Sequence, residues 1–169
     1  MAVWLWTAEF VSNSPQPAVG VSALVYDARG RVLLIRRGRP PAQGLWHAPG
    51  GRLEAGESMA EAVLREVYEE TGIGEVRLGP IVAVVERRIE GFHYVIVDFL
   101  GFLDQIDPPP PMAADDALAA AWVPEDRLSC YELAEGLVPI LQRAVSLWKG
   151  QKGGLFDFSG DGTDFVADV

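Results

Sequence analysis

Apolar and polar positions alternate, cluster and break along the chain in a way that maps out its elements. Val19 to Tyr26 is an almost unbroken apolar run and predicts a buried strand. Asp27-Ala28-Arg29-Gly30 follows as a turn, and Arg31 to Arg37 predicts a second strand. Pro40 and Pro41 make residues 38 to 44 a loop, and Leu45 to Ala48 is a short extended piece leading into Pro49-Gly50-Gly51. The period then changes. From Met59 to Thr71 the apolar positions recur at helical spacing, with Ser58 and Glu61 as a capping box and Thr71-Gly72 as a left-handed stop. Ile81 to Ile89 and His93 to Phe102 read as a strand pair around Glu90-Gly91. Four prolines at 108–111 mark a stiff loop before a strand from Leu118 to Val123. Tyr131 to Trp148 carries helical periodicity, with Leu133, Leu137, Ile140, Leu141, Ala144 and Leu147 inward.

Strands mixed with two helices predict an α/β domain in which helices sandwich a sheet. We expect three parts. Residues 1–17 form an N-terminal arm in which Trp4, Trp6, Ala8 and Phe10 alternate, as in a strand that packs in cis or contacts a second copy in a homodimer. Residues 18–148 form the domain, and 149–169 form a Gly- and Asp-rich acidic tail, solvated and clipped down by Leu155, Phe156 and Phe158. Asp157, Ser159, Asp161 and Asp164 lack the spacing and the bidentate glutamate of a calcium loop.

Composition narrows the function classes. At 169 residues and 49% hydrophobic, the chain can bury one real core. No apolar run is long enough to span a membrane, and the apolar start lacks the basic flank of a signal peptide, so we expect a cytoplasmic protein. The single cysteine, Cys130, fits a reducing compartment and is expected to pack as a small apolar residue. A net charge of −10 argues against stable nucleic-acid binding, which depends on neutralising phosphates. A small anionic substrate remains compatible, because bound cations and a few arginines can reverse the field within one cleft.

The chemistry lies in the first helix. Projected at about 100° per residue, Glu66, Glu69 and Glu70 share one arc, while Ala60, Val63, Leu64 and Val67 form an adjacent core-facing arc. Ala62 falls on the carboxylate side, where its small size would leave room. Carboxylates crowded together repel unless a cation joins them, and hard divalent ions prefer oxygen ligands. Arg65 sits among them, and Gly50-Gly51 precedes the helix with a tight turn and exposed carbonyls.

The stretch from 51 to 73 resembles the Nudix box, G, five residues, E, seven residues, R-E-U-x-E-E-x-G-U with U aliphatic. Gly51, Glu57, Arg65, Glu66, Val67, Glu69, Glu70, Gly72 and Ile73 fill every fixed position. The resemblance runs from about Ala18 to Leu147. It implies a Nudix-type α/β/α sandwich with a mixed central sheet, and an enzyme that hydrolyses a nucleoside diphosphate linked to another moiety. It also implies Mg²⁺, with Mn²⁺ as an alternative, held by Glu66, Glu69 and Glu70 with help from Glu57 and the carbonyl of Gly50. Arg65 is expected to orient those carboxylates. The general base is expected to be Glu66 or an acid on the loop before the 118–123 strand, with Asp116 preferred over Asp115.

Substrate contacts carry weaker signals. Arg36 or Arg37, with Arg39 beside them, could grip a terminal phosphate. Trp46 or Phe92 could stack on a base. Glu86 and Arg88 share one strand face and Arg87 the other. Asp98 interrupts an apolar strand and is expected to be a hydrogen-bonded structural acid. HYVIVDFLGF, with ERRIEG before it, resembles ADP-ribose and nucleotide-sugar hydrolases, although the proline many of them carry beyond the box is missing between Glu86 and Glu90. The alternatives are a nucleoside triphosphate pyrophosphohydrolase of MutT type and a non-catalytic nucleotide sensor.

Overall fold

A computed structural model describes residues 16–167; the N-terminal arm expected at residues 1–17, with its alternating tryptophans, lies almost wholly outside the described residues. The strands are β1 (Ala18–Asp27), β2 (Val32–Arg37), β3 (Trp46–His47), β4 (Gly50–Arg52), β5 (Arg77–Ile89), β6 (Phe92–Leu103), β7 (Ala117–Val123), β8 (Leu155–Asp157) and β9 (Phe165–Ala167). Among the described residues two α-helices complete the fold, α1 (Met59–Thr71) and α2 (Leu137–Trp148).

Among the described residues all nine strands join one mixed sheet, in the order β3-β2-β1-β6-β5-β8-β9. β4 adds to β1 and β7 to β2. β1 and β6 run parallel from Ala18↔Tyr94 to Asp27↔Leu103, and the other pairings are antiparallel. Because side chains alternate across a strand, β1 serves both faces. Val21, Ala23 and Val25 pack with Ala62, Val63 and Val67 of α1. Leu24 and Tyr26 pack with Leu137, Leu141 and Ala144 of α2. The helix–sheet–helix sandwich read from the pattern is the observed fold.

Local chemistry explains the turns. Asp27 is buried, and its carboxylate accepts from the backbone of Arg29 and Arg31 and from the Arg31 guanidinium. The β5–β6 hairpin turns at Glu90 and Gly91, both with positive φ. α1 starts with the Ser58–Glu61 capping box and ends on left-handed Gly72.

Four expectations need correction. α2 begins at Leu137, six residues later than the periodicity suggested. A 3₁₀ turn at Glu125–Cys130 and an isolated bridge between Trp46 and Leu133 precede it, and left-handed Gly136 breaks the chain direction. Pro139 then fits the first turn, where its missing N–H costs no bond. Leu133 is inward as expected, but from an extended segment. The tail is not merely solvated: β8 pairs with β5 through Ile81↔Leu155, and β9 pairs with β8. Leu155 and Phe165 reach the α1-side core. Cys130 is exposed rather than packed. Finally, α1 is rotated from its expected setting. Ala62 is fully buried, Leu64 is exposed, and Glu70 is buried at 4%. Gly51 has no side chain to hold Glu66 off β4, and Glu70 accepts from the Gly50 N–H.

Candidate active site

The carboxylates of α1 are organised by two groups that the first helical turns and β4 bring together. One is Arg65. Its Nε and Nη2 grip the two oxygens of Glu57 at 3.1 and 2.7 Å, and its Nη1 donates to Glu66 Oε1 at 2.8 Å and Glu69 Oε2 at 3.1 Å. Nη2 also reaches the carbonyl of Arg52 at 3.2 Å. The other is the backbone N–H of Gly50, which donates to Glu70 Oε2 at 2.9 Å. Gly51 lies against the Glu66 carboxylate so closely that an added Cβ would overlap it.

This clamp has electrostatic consequences. The guanidinium holds the Glu57 carboxyl below its ordinary range, helped by the Glu54 N–H. Burial pushes Glu66 up, against the pull of Arg65. Burial pushes Glu70 up to about 8, opposed by the Gly50 N–H and reinforced by the charge of Glu66. Arg65 itself is held even further into its charged form by the hydrogen bonds it donates to Glu57 and Glu66.

Among the described residues no three of these acids close on a common point. What remains free is informative. Glu66 Oε2, Glu69 Oε1 and Glu70 Oε1 make no hydrogen bond among the described residues, whereas both Glu57 oxygens are spent on Arg65 and on the Glu54 N–H. Three uncommitted carboxyl oxygens on one helix face, beside a turn without side chains, fit a hard divalent cation, whose charge would favour the ionised form of all three. Glu57, expected as a ligand, forms the forked pair with Arg65.

The loop before β7 docks on the end of α1. Met112 N and Ala114 N donate to the last carbonyls, Thr71 O at 2.9 Å and Glu70 O at 3.1 Å. This brings Asp115, in a positive-φ conformation, close enough for its charge to raise both Glu66 and Glu70. Asp116, our preferred position, points elsewhere: its Oδ1 lies 2.8 Å from Arg39 Nε.

Beside the carboxylates, between the sheet and the start of α2, lies a cleft of about 470 Å³. Gly50, Gly51, Arg37 and Asp98 line it, together with apolar Ile96 and Leu137. Of the expected substrate contacts, Arg37 borders the cleft, its Nε held by Pro41 O at 2.8 Å. Arg36 is exposed and bonded to Gly44 O. Trp46 packs edge-on against Tyr131, with centroids 4.9 Å apart, and belongs to the α2-side core. Phe92 stacks on Tyr94. Glu86 and Arg88 sit at the rim and pair with each other at 2.6 Å, with His93 also on Glu86. Arg87, His47 and Asp98 line the cleft although the sequence pattern assigned none of them a binding role. The strand alternation that separates Arg87 from its neighbours was the available signal.

Residues 16–144 match the family model described as NUDIX domain. The CTP pyrophosphohydrolase of Escherichia coli K12 is 32% identical over 138 residues, covering 76% of this chain and 93% of that protein. The ADP-ribose pyrophosphatase of Methanocaldococcus jannaschii is 44% identical over 57 residues, only 34% of this chain and 33% of that protein. The crystal structure of a MutT protein from Methanosarcina mazei Go1 superposes with a TM-score of 0.68 at 27% identity, covering 82% of this chain and 99% of that one. No helix among the described residues is long and apolar enough to cross a membrane. A family model matching most of the chain, a relative aligned over nearly its whole length and the clamped carboxylates of α1 lead to one conclusion: the chain belongs to the Nudix hydrolase family.

Proposed function

We propose that this enzyme hydrolyses a phosphoric anhydride bond in a nucleoside diphosphate linked to another group, and that it needs a divalent cation, Mg²⁺ or Mn²⁺, to do so. The observation that carries this reading is the set of three uncommitted oxygens on Glu66, Glu69 and Glu70, opening beside the Gly50-Gly51 turn and the cleft. A bound divalent cation would neutralise the anhydride oxygens and acidify a water. Arg65 keeps Glu66 and Glu69 at fixed angles, and Gly50 does the same for Glu70. Glu66, partly buried with a raised proton affinity, or Asp115 next to it, accepts the proton of the attacking water. Arg37 and Arg87 supply positive charge along the cleft for the phosphates.

Two substrate classes differ in the group carried beyond the diphosphate. The strand around Asp98 led us to expect ADP-ribose or a nucleotide sugar. The extent of the matches favours a nucleoside triphosphate, because the E. coli relative aligned over most of both chains is named for CTP, whereas the ADP-ribose pyrophosphatase aligns over a third. A panel of ADP-ribose, nucleotide sugars and the nucleoside triphosphates, assayed with Mg²⁺ and with Mn²⁺, tests this. Release of pyrophosphate and a monophosphate supports the triphosphate class, and release of AMP with a sugar phosphate supports the other. No hydrolysis of any member with either cation would refute the enzyme reading.

A further inference from the structure

Asp98 sits in β6 at the floor of the cleft and is 1% exposed. A carboxylate so placed costs free energy unless something hydrogen-bonds it. Ser22 Oγ, directly across the parallel β1–β6 pairing, donates to Oδ1. Oδ2 has no partner among the described residues. The serine uses one oxygen, fixes the plane of the carboxylate and leaves the other oxygen as an acceptor.

The surroundings say what kind of donor fits. Ile96, two residues before Asp98 on β6, and Val85, the partner of Ile96 on β5, continue the sheet floor, and Leu137 and Ile140 of α2 also line the cleft. That is a flat apolar slot with one buried anionic acceptor in it. Along the sheet, Asp98 is next to Ser22 and Ser22 is next to Gly50. At about 4.8 Å per strand, Asp98 lies roughly 10 Å from the turn that adjoins the α1 carboxylates. That separation suits a substrate with phosphates at Gly50-Gly51 and its ring at Asp98. Burial pushes Asp98 up to about 6, and Ser22 and the charge of Arg87 pull against it, so above that pH the carboxylate is ionised, accepts hydrogen bonds and donates none.

We propose that Asp98, oriented by Ser22, is a specificity-determining residue that accepts a hydrogen bond from the exocyclic amino group of the substrate's nucleobase. Adenine and cytosine present such a donor, and hypoxanthine and uracil put a keto oxygen in its place, which the carboxylate repels. The inference deepens the proposed function, resting on it for a nucleotide as ligand, but its test does not need turnover.

The test is equilibrium binding of AMP against IMP, and of CMP against UMP, to the full chain without added metal. The amino member of at least one pair should bind at least about 5-fold tighter, the low end of what one well-placed base contact contributes. Asp98→Asn should abolish or reverse that ratio. Ser22→Ala should lower it without reversing it, and it carries the test together with the wild-type ratios should Asp98→Asn fail to fold. Equal binding within both pairs, preference for the keto members, no saturable binding of any of the four, or an unchanged ratio in folded Asp98→Asn would each overturn the proposal. Discrimination between ribose and 2′-deoxyribose forms, with none between amino and keto bases, would put a sugar hydroxyl on Asp98 and overturn it too. Failure of hydrolysis alone would count against the proposed function and not against this contact.

Discussion

Gly51 and Glu66 are in contact across the β4–α1 junction, and a methyl group on Gly51 would occupy the space of the Glu66 carboxylate. The glycine is therefore required for its missing side chain, since its backbone is not in the positive-φ region. It lets the helix approach β4 and leaves room for the Glu66 carboxylate.

Gly51→Ala should consequently expel the Glu66 carboxylate from its place beside Arg65. We expect turnover to fall by about 10²-fold, the scale on which a misplaced catalytic group is felt. The thermal unfolding midpoint should change little, because a partly exposed methyl group can be relieved by rotating one side chain. Turnover within a few-fold of wild type would show that the position of Glu66 is not critical.

Arg65 bonds to three carboxylates, so its loss should act through them. In Arg65→Ala, Glu57, Glu66 and Glu69 lose their common donor. Divalent-cation affinity, read by calorimetric titration with Mn²⁺, should weaken by about 10–100-fold, as when groups that orient metal ligands are removed. Arg65→Lys should recover only part of this, because an ammonium cannot reproduce the forked grip on Glu57. Unchanged affinity in the alanine variant would separate the arginine from cation binding.

Three substitutions sort the acids. Glu69→Gln removes one of the free oxygens' charges and should lower turnover by about 10²-fold or more with the fold intact. Asp116→Asn should have a small effect, because that carboxylate is occupied by Arg39. Asp115→Asn should have the larger effect of the pair if the loop supplies the base. Equal, small effects at 115 and 116 would leave Glu66 as the proton acceptor.

The box residues and the sandwich were legible in the sequence because both arise from spacing alone. The capping box, the left-handed stop at Gly72 and the two-faced β1 are set by residues within one or two turns of each other. What depends on distant packing was not legible. The rotation of α1 that buries Ala62 and exposes Leu64 is set by how the helix docks on the sheet, which helical projection does not contain. The pairing of Glu57 with Arg65, and of Asp116 with Arg39, depends on side-chain directions fixed by contacts made across the fold. The two C-terminal strands were missed because Leu155–Asp157 and Phe165–Ala167 are three residues each, too short to show a period. Trp46 drew attention as an aromatic near the glycine turn, yet the edge against Tyr131 uses it in the core.

Asp98 also predicts a pH dependence of stability. Burial raises its pKa from 3.8 to about 6, against the Ser22 bond. Between those values the native protein holds a proton that the unfolded chain has released. Stability therefore falls as pH rises through that window, and the cost is fully present above about pH 6. It amounts to roughly 3 kcal/mol, because each pKa unit is about 1.4 kcal/mol. Asp98→Asn has no such term. Its stability relative to wild type, from urea unfolding at several pH values, should climb between about pH 4 and 6 and then level off. The titration of Glu70 is common to both proteins and cancels in the difference. A difference independent of pH would show that Asp98 keeps an ordinary pKa.

The C-terminal strands should stabilise the domain without entering its chemistry. Phe165 meets Phe99 edge-on, with centroids 5.3 Å apart, on the α1 side of the sheet. Leu155 pairs with Ile81 along the edge of β5, and Gly162 lies against Ala60 and Ser58 at the start of α1. Removing the half-buried ring in Phe165→Ala should cost about 1–2 kcal/mol, part of what full burial of a phenylalanine contributes. For a domain of this size that lowers the melting temperature by about 2–8 °C. Truncation after Lys152 should cost more, because it also exposes the β5 edge to pairing with other chains. Turnover at low temperature should stay close to wild type in Phe165→Ala, since neither strand lines the cleft. A loss of activity at temperatures where that variant is fully folded would mean that the strands hold the α1 N-terminus in its catalytic position, and would move them from support into the site.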